Sequence, residues 1–377
     1  MGCIDYPVFE SINFKKLTIG DKVESIPEAA FPNQYRISSV DFPNSVKSIG
    51  DYAFYKCSLI KKLTIPNSVK TIGNYAFLYC NNVDSLTIGD SVTEIGVSAF
   101  EGLRFMTSLK LGKSLKKIGM NAFDNCFSLP ELILPDSLTT IGHYAFQDCT
   151  ELTSITIPES VTYIGRSAFG KCTGLASLTF NAKNCTYMGY QSDPALNGCT
   201  KIASITIGKE VETIPDYAFK NLTNVEQVTI PYSVRTIGAQ AFSCYDYLKV
   251  YTQWANPADP AYSWNDKPFS DAIFQKGTLY VPLATKAIYE QTAPWMNFLN
   301  IVEYEYSGIK DIESDVTIRI EGGRIVVTGA DDALVQVFGI NGTTVYCGSA
   351  NNMPKLSKGF YIVRVGKLVK KVAIAQF

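Results

Sequence analysis

The chain has 377 residues, and its 34 lysine and arginine residues nearly balance 35 aspartate and glutamate residues, for a formal net charge of −1. This balance excludes a global field that would attract nucleic acid or an anionic membrane. No run of about 18 or more apolar residues is present, so we expect no transmembrane helix. The opening residues, MGCIDYPVFE, lack a basic start and an apolar core, so we expect an export signal to be absent from these residues.

An Ala-Phe pair recurs along the chain with a period of 23 residues. After one longer step of 27 residues the position holds Leu196, and the shorter step then resumes. The repeat positions are Phe31, Phe54, Phe77, Phe100, Phe123, Phe146, Phe169, Leu196, Phe219 and Phe242. A fixed period of about 20–29 residues marks a solenoid, in which each coil buries its apolar face only against its neighbours. We therefore predict a mainly β solenoid of about ten 23-residue coils.

One unit, residues 63–85, reads LTIPNSVKTIGNYAFLYCNNVDS. Its first residues alternate apolar and polar side chains, which is typical of a β-strand, and the proline that follows ends the strand. Val69 and Ile72 then begin a second apolar face. The glycine at Gly73 recurs in most units, which indicates either that a side chain would collide there or that φ is positive. Pro27 and Pro215 take the same position, and proline cannot adopt a positive φ, which weakens the second explanation.

Six of the ten cysteines occupy one position of the repeat, three residues after the repeat phenylalanine or its leucine substitute. They are Cys57, Cys80, Cys126, Cys149, Cys172 and Cys199. Leu103 and Leu222 take this position in two other units, so it accepts a small buried hydrophobe, and we predict free, buried thiols. We expect no zinc site, because the chain has no CxxC pair and a single histidine.

The consensus of these units, LxIPxSVxxIGxxAFxxCxxL, resembles the BspA-type leucine-rich repeat over about residues 15–305. That family is common in surface proteins of gut and oral bacteria, and the resemblance implies a right-handed solenoid that offers a binding surface. One unit departs from the consensus. Residues 178–200 carry Cys185 in the valine position and four extra residues, one before Met188 and three after Gly189. We expect these extra residues to form a loop that projects from the solenoid.

After the last repeat phenylalanine the period fades, and the segment TLYVP followed by WMNFLNI is similar to the closing cap of the family. A cap covers the apolar core and the open strand edge of the final coil. We place this cap at about residues 250–306. Within it, we expect Trp295 and Phe298 to fill the end of the core, and Trp254, Tyr262 and Trp264 to pack around them.

From Ser307 the pattern changes to short alternating strands broken by Gly-Gly, Asp-Asp and Asn-Gly turns. We predict two domains, a solenoid with its cap at residues 1–306 and a small β-sandwich of about six or seven strands at residues 307–377. The second domain resembles the C-terminal sorting domains of type IX secretion, which implies export by that route. The residues that match the sorting pattern are Val335, Val337, Phe338, Gly342, Leu356, Lys358, Gly359, Tyr361, Ile362, Val363, Lys370 and Lys371.

Candidate catalytic residues are scarce. His143 is the single histidine, and it lies in IGHYAF at a position that varies among the units and that we predict to be exposed. A nucleophile activated by histidine would have to use it, and the cysteine nearest in sequence, Cys149, occupies the core position. No phosphate-binding loop, dinucleotide fingerprint, HExxH or EF-hand motif is present. We therefore predict no enzymatic activity, no cofactor and no metal ion.

Three features are candidate partner-binding sites, and each also has a purely structural explanation. The first is a row of outward-facing residues on the first strand, where threonine also suits a parallel sheet. The second is a tyrosine two residues before the repeat phenylalanine, which could equally pack over its own coil. The third is the inserted loop, residues 181–197, with Tyr187 and Tyr190. The row consists of Thr18, Thr64, Thr87, Lys110, Ile133, Thr156, Thr179, Thr206 and Thr229, and the tyrosines are Tyr52, Tyr75, Tyr144 and Tyr217.

The preferred interpretation is an adhesin-like bacterial protein, secreted or held at the outer cell surface, that binds host or partner proteins through an extended solenoid surface. One alternative is a glycan-binding accessory protein, which aromatic residues gathered on one exposed face would favour. The other is a structural spacer that multimerises, which a featureless polar surface would favour. Nucleic acid is not expected as a partner, because the net charge is close to zero.

Overall fold

The computed structural model describes residues 15–243, 247–254, 257, 261–262, 267–304, 316–321, 324–329, 334–340, 343–350, 353–365 and 368–374. Trp264 and Gly342, for which we predicted cap packing and a sorting-pattern match, lie outside the described residues, as does the side chain of Tyr262.

The described chain is mainly β, with almost no helix, and its solenoid has about 12 turns at the predicted 23-residue spacing. It divides into two compact units. The first comprises Met1–Val225, Thr236–Tyr245 and Tyr262–Ser270, and the second comprises Glu226–Arg235, Asp246–Ala261 and Asp271–Phe377. The domain boundary between residues 306 and 307 stays a prediction.

In the first unit, each regular coil contributes one strand to each of two parallel faces. The first face holds β1 (Lys16–Thr18), β3 (Ser39–Asp41), β5 (Lys62–Ile65), β7 (Ser85–Ile88), β9 (Ser108–Lys110), β12 (Ser154–Ile157), β14 (Ser177–Phe180) and β16 (Ser204–Ile207). The second face holds β2 (Ser25–Ile26), β4 (Ser48–Ile49), β6 (Thr71–Ile72), β8 (Glu94–Ile95), β10 (Lys117–Ile118), β11 (Thr140–Ile141), β13 (Tyr163–Ile164), β15 (Tyr187–Met188), β17 (Thr213–Ile214) and β19 (Thr236–Ile237). A two-residue strand, β21 (Ala261–Tyr262), follows.

The period of the sequence sets the register of these faces. Residues 23 apart are direct neighbours, as in the pairs Leu63–Leu86 and Ile72–Ile95. The second face is an eight-stranded parallel sheet from β2 to β15, with β17 paired to β19 beyond it. The first face is discontinuous, with separate sheets β1–β3, β5–β7–β9 and β12–β14–β16.

The repeat phenylalanines form a buried column between the two faces. From Phe31 to Phe169, neighbouring ring centroids lie 5.1 to 5.5 Å apart. Rings at this separation combine apolar burial with offset stacking. The column also extends further than we predicted, because the ring of Phe269 stacks on Phe242 at 5.3 Å.

The six in-phase cysteines are confirmed as free and buried. Each thiol donates to the carbonyl oxygen of the repeat phenylalanine in the preceding coil, with Sγ to O distances from 2.9 to 3.7 Å. Burial raises the pKa of the Cys57 thiol to about 12. Cysteine therefore suits this position because it fills the core and also satisfies a buried carbonyl.

Close approach of neighbouring coils explains the repeated glycine. A Cβ added at Gly73 would lie 2.6 Å from the backbone nitrogen of Asp51, and one at Gly96 would lie 2.6 Å from the carbonyl carbon of Gly73. Neither glycine has a positive φ. Collision, rather than backbone conformation, is therefore the reason that a side chain is excluded here.

One predicted strand is absent. Residues 131–134, with the sequence ELIL, stand where the repeat places the first strand of a coil, yet they form no strand, and they separate β9 from β12. Pro130 precedes them and has no N–H to donate to the neighbouring coil. The interruption of the first face follows from this proline.

In the second unit, the predicted cap residues Trp254, Trp295 and Phe298 are buried. The parallel sheet runs in the order β18 (Gln227–Ile230), β20 (Lys249–Thr252), β22 (Thr278–Pro282) and β23 (Ile301–Tyr304), and the helices are α1 (Asp271–Lys276), α2 (Lys286–Tyr289) and a 3₁₀ turn at Trp295–Asn297. Trp295 and Phe298 are buried as predicted. Trp254 is also buried, and its ring lies 5.7 Å from that of Trp295.

The C-terminal residues form two antiparallel sheets around one core. The first sheet pairs β24 (Thr317–Glu321) with β25 (Arg324–Thr328), and the second has the order β27 (Thr344–Ser349), β26 (Leu334–Gly339), β28 (Gly359–Val365) and β29 (Leu368–Ile374). Ile318 and Ile325 from the first sheet share a core with Val337 and Val363 from the second.

Candidate functional site

The inserted loop turns back on itself at residues 190–193. The N–H of Tyr190 donates to the carbonyl of Asp193, the N–H of Asp193 donates back, and both bonds measure 3.1 Å. Gly189 begins the turn with a φ of +88°, where an added Cβ would lie 2.5 Å from the Asp193 carbonyl oxygen. The loop is therefore a compact turn that requires its glycine.

The carboxylate of Asp193 ties this turn to the neighbouring coils. The Tyr144 hydroxyl donates to Oδ2 at 3.1 Å, and the Ser167 hydroxyl donates to Oδ1. The side-chain amide of Asn197 also donates to Oδ1, at 3.5 Å. Three donors from three places in the chain hold the loop in one position, which is what a preorganised binding surface needs.

Four side chains beside the turn form what we call the Tyr–Arg cluster: Tyr163, Arg166, Tyr187 and Tyr190. The rings of Tyr163 and Tyr187 stack at 4.7 Å, and Tyr190 meets Tyr187 edge-on at 5.4 Å. The Arg166 guanidinium lies over the Tyr190 ring at 4.8 Å. Tyr190 is 49 % exposed, and Arg166 is also exposed, so this pair faces solvent.

His143 lies beneath the cluster and is half-buried, so our prediction of an exposed position was wrong. Its Nδ1 accepts the backbone N–H of Arg166 at 2.8 Å, and its Nε2 lies 3.3 Å from the Tyr163 hydroxyl. Burial lowers the pKa of this imidazole, and the charge of Arg166 lowers it further. Asn74, at the equivalent position, likewise accepts the N–H of Val97 in the next coil, at 2.8 Å. His143 therefore has a structural role in the corner of its coil.

A second contact extends the loop to the next coils. Gln191 donates to Gln240 Oε1 at 3.4 Å, and the buried Lys220 ammonium donates to the same oxygen at 3.0 Å. The same ammonium lies 5.5 Å from the centre of the Tyr217 ring. Of the predicted tyrosines, Tyr187 and Tyr190 thus belong to the loop, and Tyr144 donates a hydrogen bond to it. Tyr217 lies beside Lys220, which shares the Gln240 oxygen with Gln191.

The other two predicted tyrosines lie elsewhere. Tyr52 and Tyr75 stack on each other at 4.7 Å, and both are half-buried. Ser98 and Asn121 occupy the same position in the next two coils. The predicted tyrosine column is thus interrupted between Tyr75 and Tyr144.

The predicted row on the first face is in register but is also interrupted. Thr64, Thr87 and Lys110 are neighbours on β5, β7 and β9, and Thr156, Thr179 and Thr206 are neighbours on β12, β14 and β16. Between these groups, Ile133 projects from the coil without a strand and is 71 % exposed. Thr18 pairs with Asp41, which belongs to the row and which the sequence reading missed. Thr229, in the second unit, pairs with Tyr251.

The sequence reading also missed Tyr163, Arg166 and Asp193. Tyr163 and Tyr187 hold equivalent positions in consecutive units once the extra residue before Met188 is allowed for, and this register could have revealed their stack. Asp193 has no equivalent in other units, so nothing in the period pointed to its partners.

Neither a metal-binding group nor a membrane-spanning helix is found among the residues that the structure describes. Among the described residues, no group of three or more His, Cys, Asp and Glu side chains is arranged to hold a metal ion. In the same part of the chain, no helix has the length and apolarity to cross a bilayer.

Comparison with known proteins identifies the repeat. Six copies of the BspA type Leucine rich repeat region match residues 3–128, 93–192 and 190–253. No curated protein matches the chain.

Three solved structures are similar to the chain. A leucine-rich repeat protein from Bacteroides ovatus is 20 % identical, with 77 % of this chain and 84 % of that chain covered and a TM-score of 0.45. The T. pallidum Leucine Rich Repeat protein is 25 % identical, with 47 % and 82 % covered and a TM-score of 0.39. A leucine rich cell surface protein from Faecalibacterium prausnitzii is 19 % identical, with 78 % and 88 % covered and a TM-score of 0.33.

Proposed function

The chain belongs to the BspA-type leucine-rich repeat family, and on that basis we propose that it is an adhesin-like bacterial protein that binds a protein partner and has no enzymatic role. It acts outside the cell, secreted or held at the outer surface, and a host extracellular protein is the expected partner. The binding surface is the Tyr–Arg cluster with the turn at residues 190–193.

The exposed pair of Tyr190 and Arg166 is the observation that carries this proposal. Tyrosine and arginine are the residues most enriched among those that dominate binding energy at protein interfaces. Their cost of ordering on binding is reduced here, because the ring and the guanidinium already contact each other at 4.8 Å. The hydrogen bonds to Asp193 hold the turn in place beneath them.

For residues 307–377 we propose a separate domain that serves export. Its resemblance to type IX sorting domains supports this role, and the lysines of that pattern, Lys358, Lys370 and Lys371, lie on or directly beside β28 and β29. Fusion of these residues to a periplasmic reporter in a bacterium with type IX secretion tests it. Export of the reporter supports the role, and retention in the periplasm contradicts it.

The binding proposal is tested by immobilising the full chain and screening extracellular-matrix proteins, mucins and purified glycans. We expect a protein ligand, and we expect Tyr190→Ser and Arg166→Ala each to weaken its binding about tenfold or more. Tyr35→Ser is the matched control, because Tyr35 is 56 % exposed in a different coil and lies outside the cluster.

Three outcomes contradict the proposal. Binding to glycans alone would favour the glycan-accessory alternative, and binding to nothing, together with self-association, would favour the structural spacer. Equal loss of binding in the Tyr35 variant would show that binding does not depend specifically on the Tyr–Arg cluster.

A further inference from the structure

The first face of the solenoid is open at residues 131–134. In other coils the residue equivalent to Pro130 donates its N–H to the preceding coil, as Thr107 does to the Asp84 carbonyl at 2.9 Å. Proline cannot make this bond. The backbone groups of residues 131–134 form no hydrogen bond with any residue that the structure describes. This part of the face therefore combines unpaired backbone with the exposed, branched side chain of Ile133.

A groove of about 1030 Å³ lies over this opening. Residues 131–134 line it together with Thr156 and the turns at residues 158–160, 181–184 and 208–210. The turn at residues 181–184 belongs to the unit that carries the extra residues. The groove thus lies between two departures from the repeat.

The lining of the groove is predominantly acidic. Its exposed carboxylates are Glu131, Asp136, Glu159 and Glu210. None of the four forms a salt bridge with a residue in the described part of the chain. Two lysines also line the groove, and one of them, Lys183, is held by Glu212 at 3.3 Å. Four carboxylates against two lysines leave a net negative surface around an exposed aliphatic side chain.

We propose that this groove binds an extended, cationic segment of a partner protein. An aliphatic side chain of the segment packs on Ile133, and lysine or arginine side chains pair with Glu159 and Glu210. An extended backbone also supplies donors and acceptors for the unpaired groups of residues 131–134, as in strand addition to an open sheet. The groove shares no residue with the Tyr–Arg cluster, so it is a second site beyond the function proposed above.

Fluorescence anisotropy with the full chain and three fluorescein-labelled peptides tests this site. The probe is KVKIKVK, which combines the two features that the groove requires. The peptide EVEIEVE reverses the charge, and KSKSKSK keeps the charge but removes the aliphatic side chains. We expect KVKIKVK to bind and its affinity to fall as salt is raised, with much weaker binding of the other two. Absence of KVKIKVK binding, or equal binding of KSKSKSK, would overturn the proposal.

Substitutions of groove residues test whether the peptide binds in the groove. We expect the double variant Glu159→Gln and Glu210→Gln to weaken KVKIKVK binding about two- to thirtyfold, the effect of losing two exposed charge pairs. Ile133→Thr, which introduces the residue that the following coil has at this position, Thr156, should also weaken it. Glu151→Gln is the matched control, since Glu151 is exposed and lies outside the groove. Equal binding by the double variant and the control would overturn the proposal. Tyr190→Ser should leave peptide binding unchanged, so this test is independent of the Tyr–Arg cluster.

Discussion

At the corner of each regular coil, the residue two before the repeat phenylalanine adopts a left-handed backbone conformation. Its φ is 56° at Tyr52, 59° at Tyr75, 57° at Tyr144 and 59° at Tyr217. This conformation costs a residue other than glycine roughly 1–2 kcal/mol. The corner requires it, because the N–H of Tyr52 must reach the carbonyl of Asn74 in the next coil, at 2.9 Å. Tyrosine therefore occurs at these corners although the left-handed backbone conformation is unfavourable for it.

The environment of Asp124 disfavours the charged form of its carboxyl group. It is buried, and its Oδ1 has no hydrogen-bond partner among the described residues. Burial, together with the charge of Glu101, raises the pKa of this carboxyl to about 6. Because the folded-state pKa lies above the ordinary value of 3.8, the stabilising contribution is complete below about pH 4 and is lost as the pH rises through about 6.

Asp124→Asn removes the buried charge. We expect it to raise the free energy of unfolding at about pH 8 by about 1–2 kcal/mol, allowing for solvent screening, and the difference to disappear near pH 4. Urea unfolding at the two pH values measures the effect. Asp136→Asn is the control, because it removes an exposed carboxyl instead of a buried one. A variant that is less stable than the parent at about pH 8 would contradict the explanation.

At the scale of elements, both candidate sites arise where a coil departs from its consensus. The insertion produces the turn at residues 190–193, and Pro130 opens the sheet at residues 131–134. The repeat register of residues 131–134 predicted a strand. The strand is missing because Pro130 lacks an N–H donor, which the prediction neglected. The regular coils form the scaffold, and the irregular coils form the two candidate binding surfaces.

Pro130→Thr should close this sheet. The new N–H can donate to the carbonyl of Thr107 in the preceding coil, as Thr107 does to Asp84. One such hydrogen bond contributes about 0.5–1.5 kcal/mol, so we expect amide exchange at residues 131–134 to slow by about three- to tenfold. Hydrogen exchange with mass spectrometry measures it. Ile133→Thr, which leaves the proline in place, is the control, and unchanged exchange in the Pro130 variant would show that the missing donor is not the cause.

At the scale of the whole molecule, the sequence predicted what is periodic and missed what is not. Each coil contacts only its neighbours, so a fixed step places equivalent side chains in register and makes the phenylalanine column predictable. We did not predict that Phe269 belongs to the column, because it follows a proline instead of an alanine and stands 27 residues after Phe242. The hydrogen bond from Tyr144 to Asp193 spans 49 residues and has no equivalent in other coils. No pattern in a single sequence could have predicted this hydrogen bond.

The central claim is that the coils share one dry core along the phenylalanine column, on which both binding surfaces depend. Phe100 is fully buried there, 5.4 Å from the rings of Phe77 and Phe123. Guanidinium unfolding of Phe100→Ala tests this most directly, with Phe105→Ala as the control because Phe105 is 58 % exposed. We predict a loss of about 3–5 kcal/mol for Phe100→Ala and less than about 0.5 kcal/mol for the control. Equal losses, or no loss for Phe100→Ala, would contradict the stacked core.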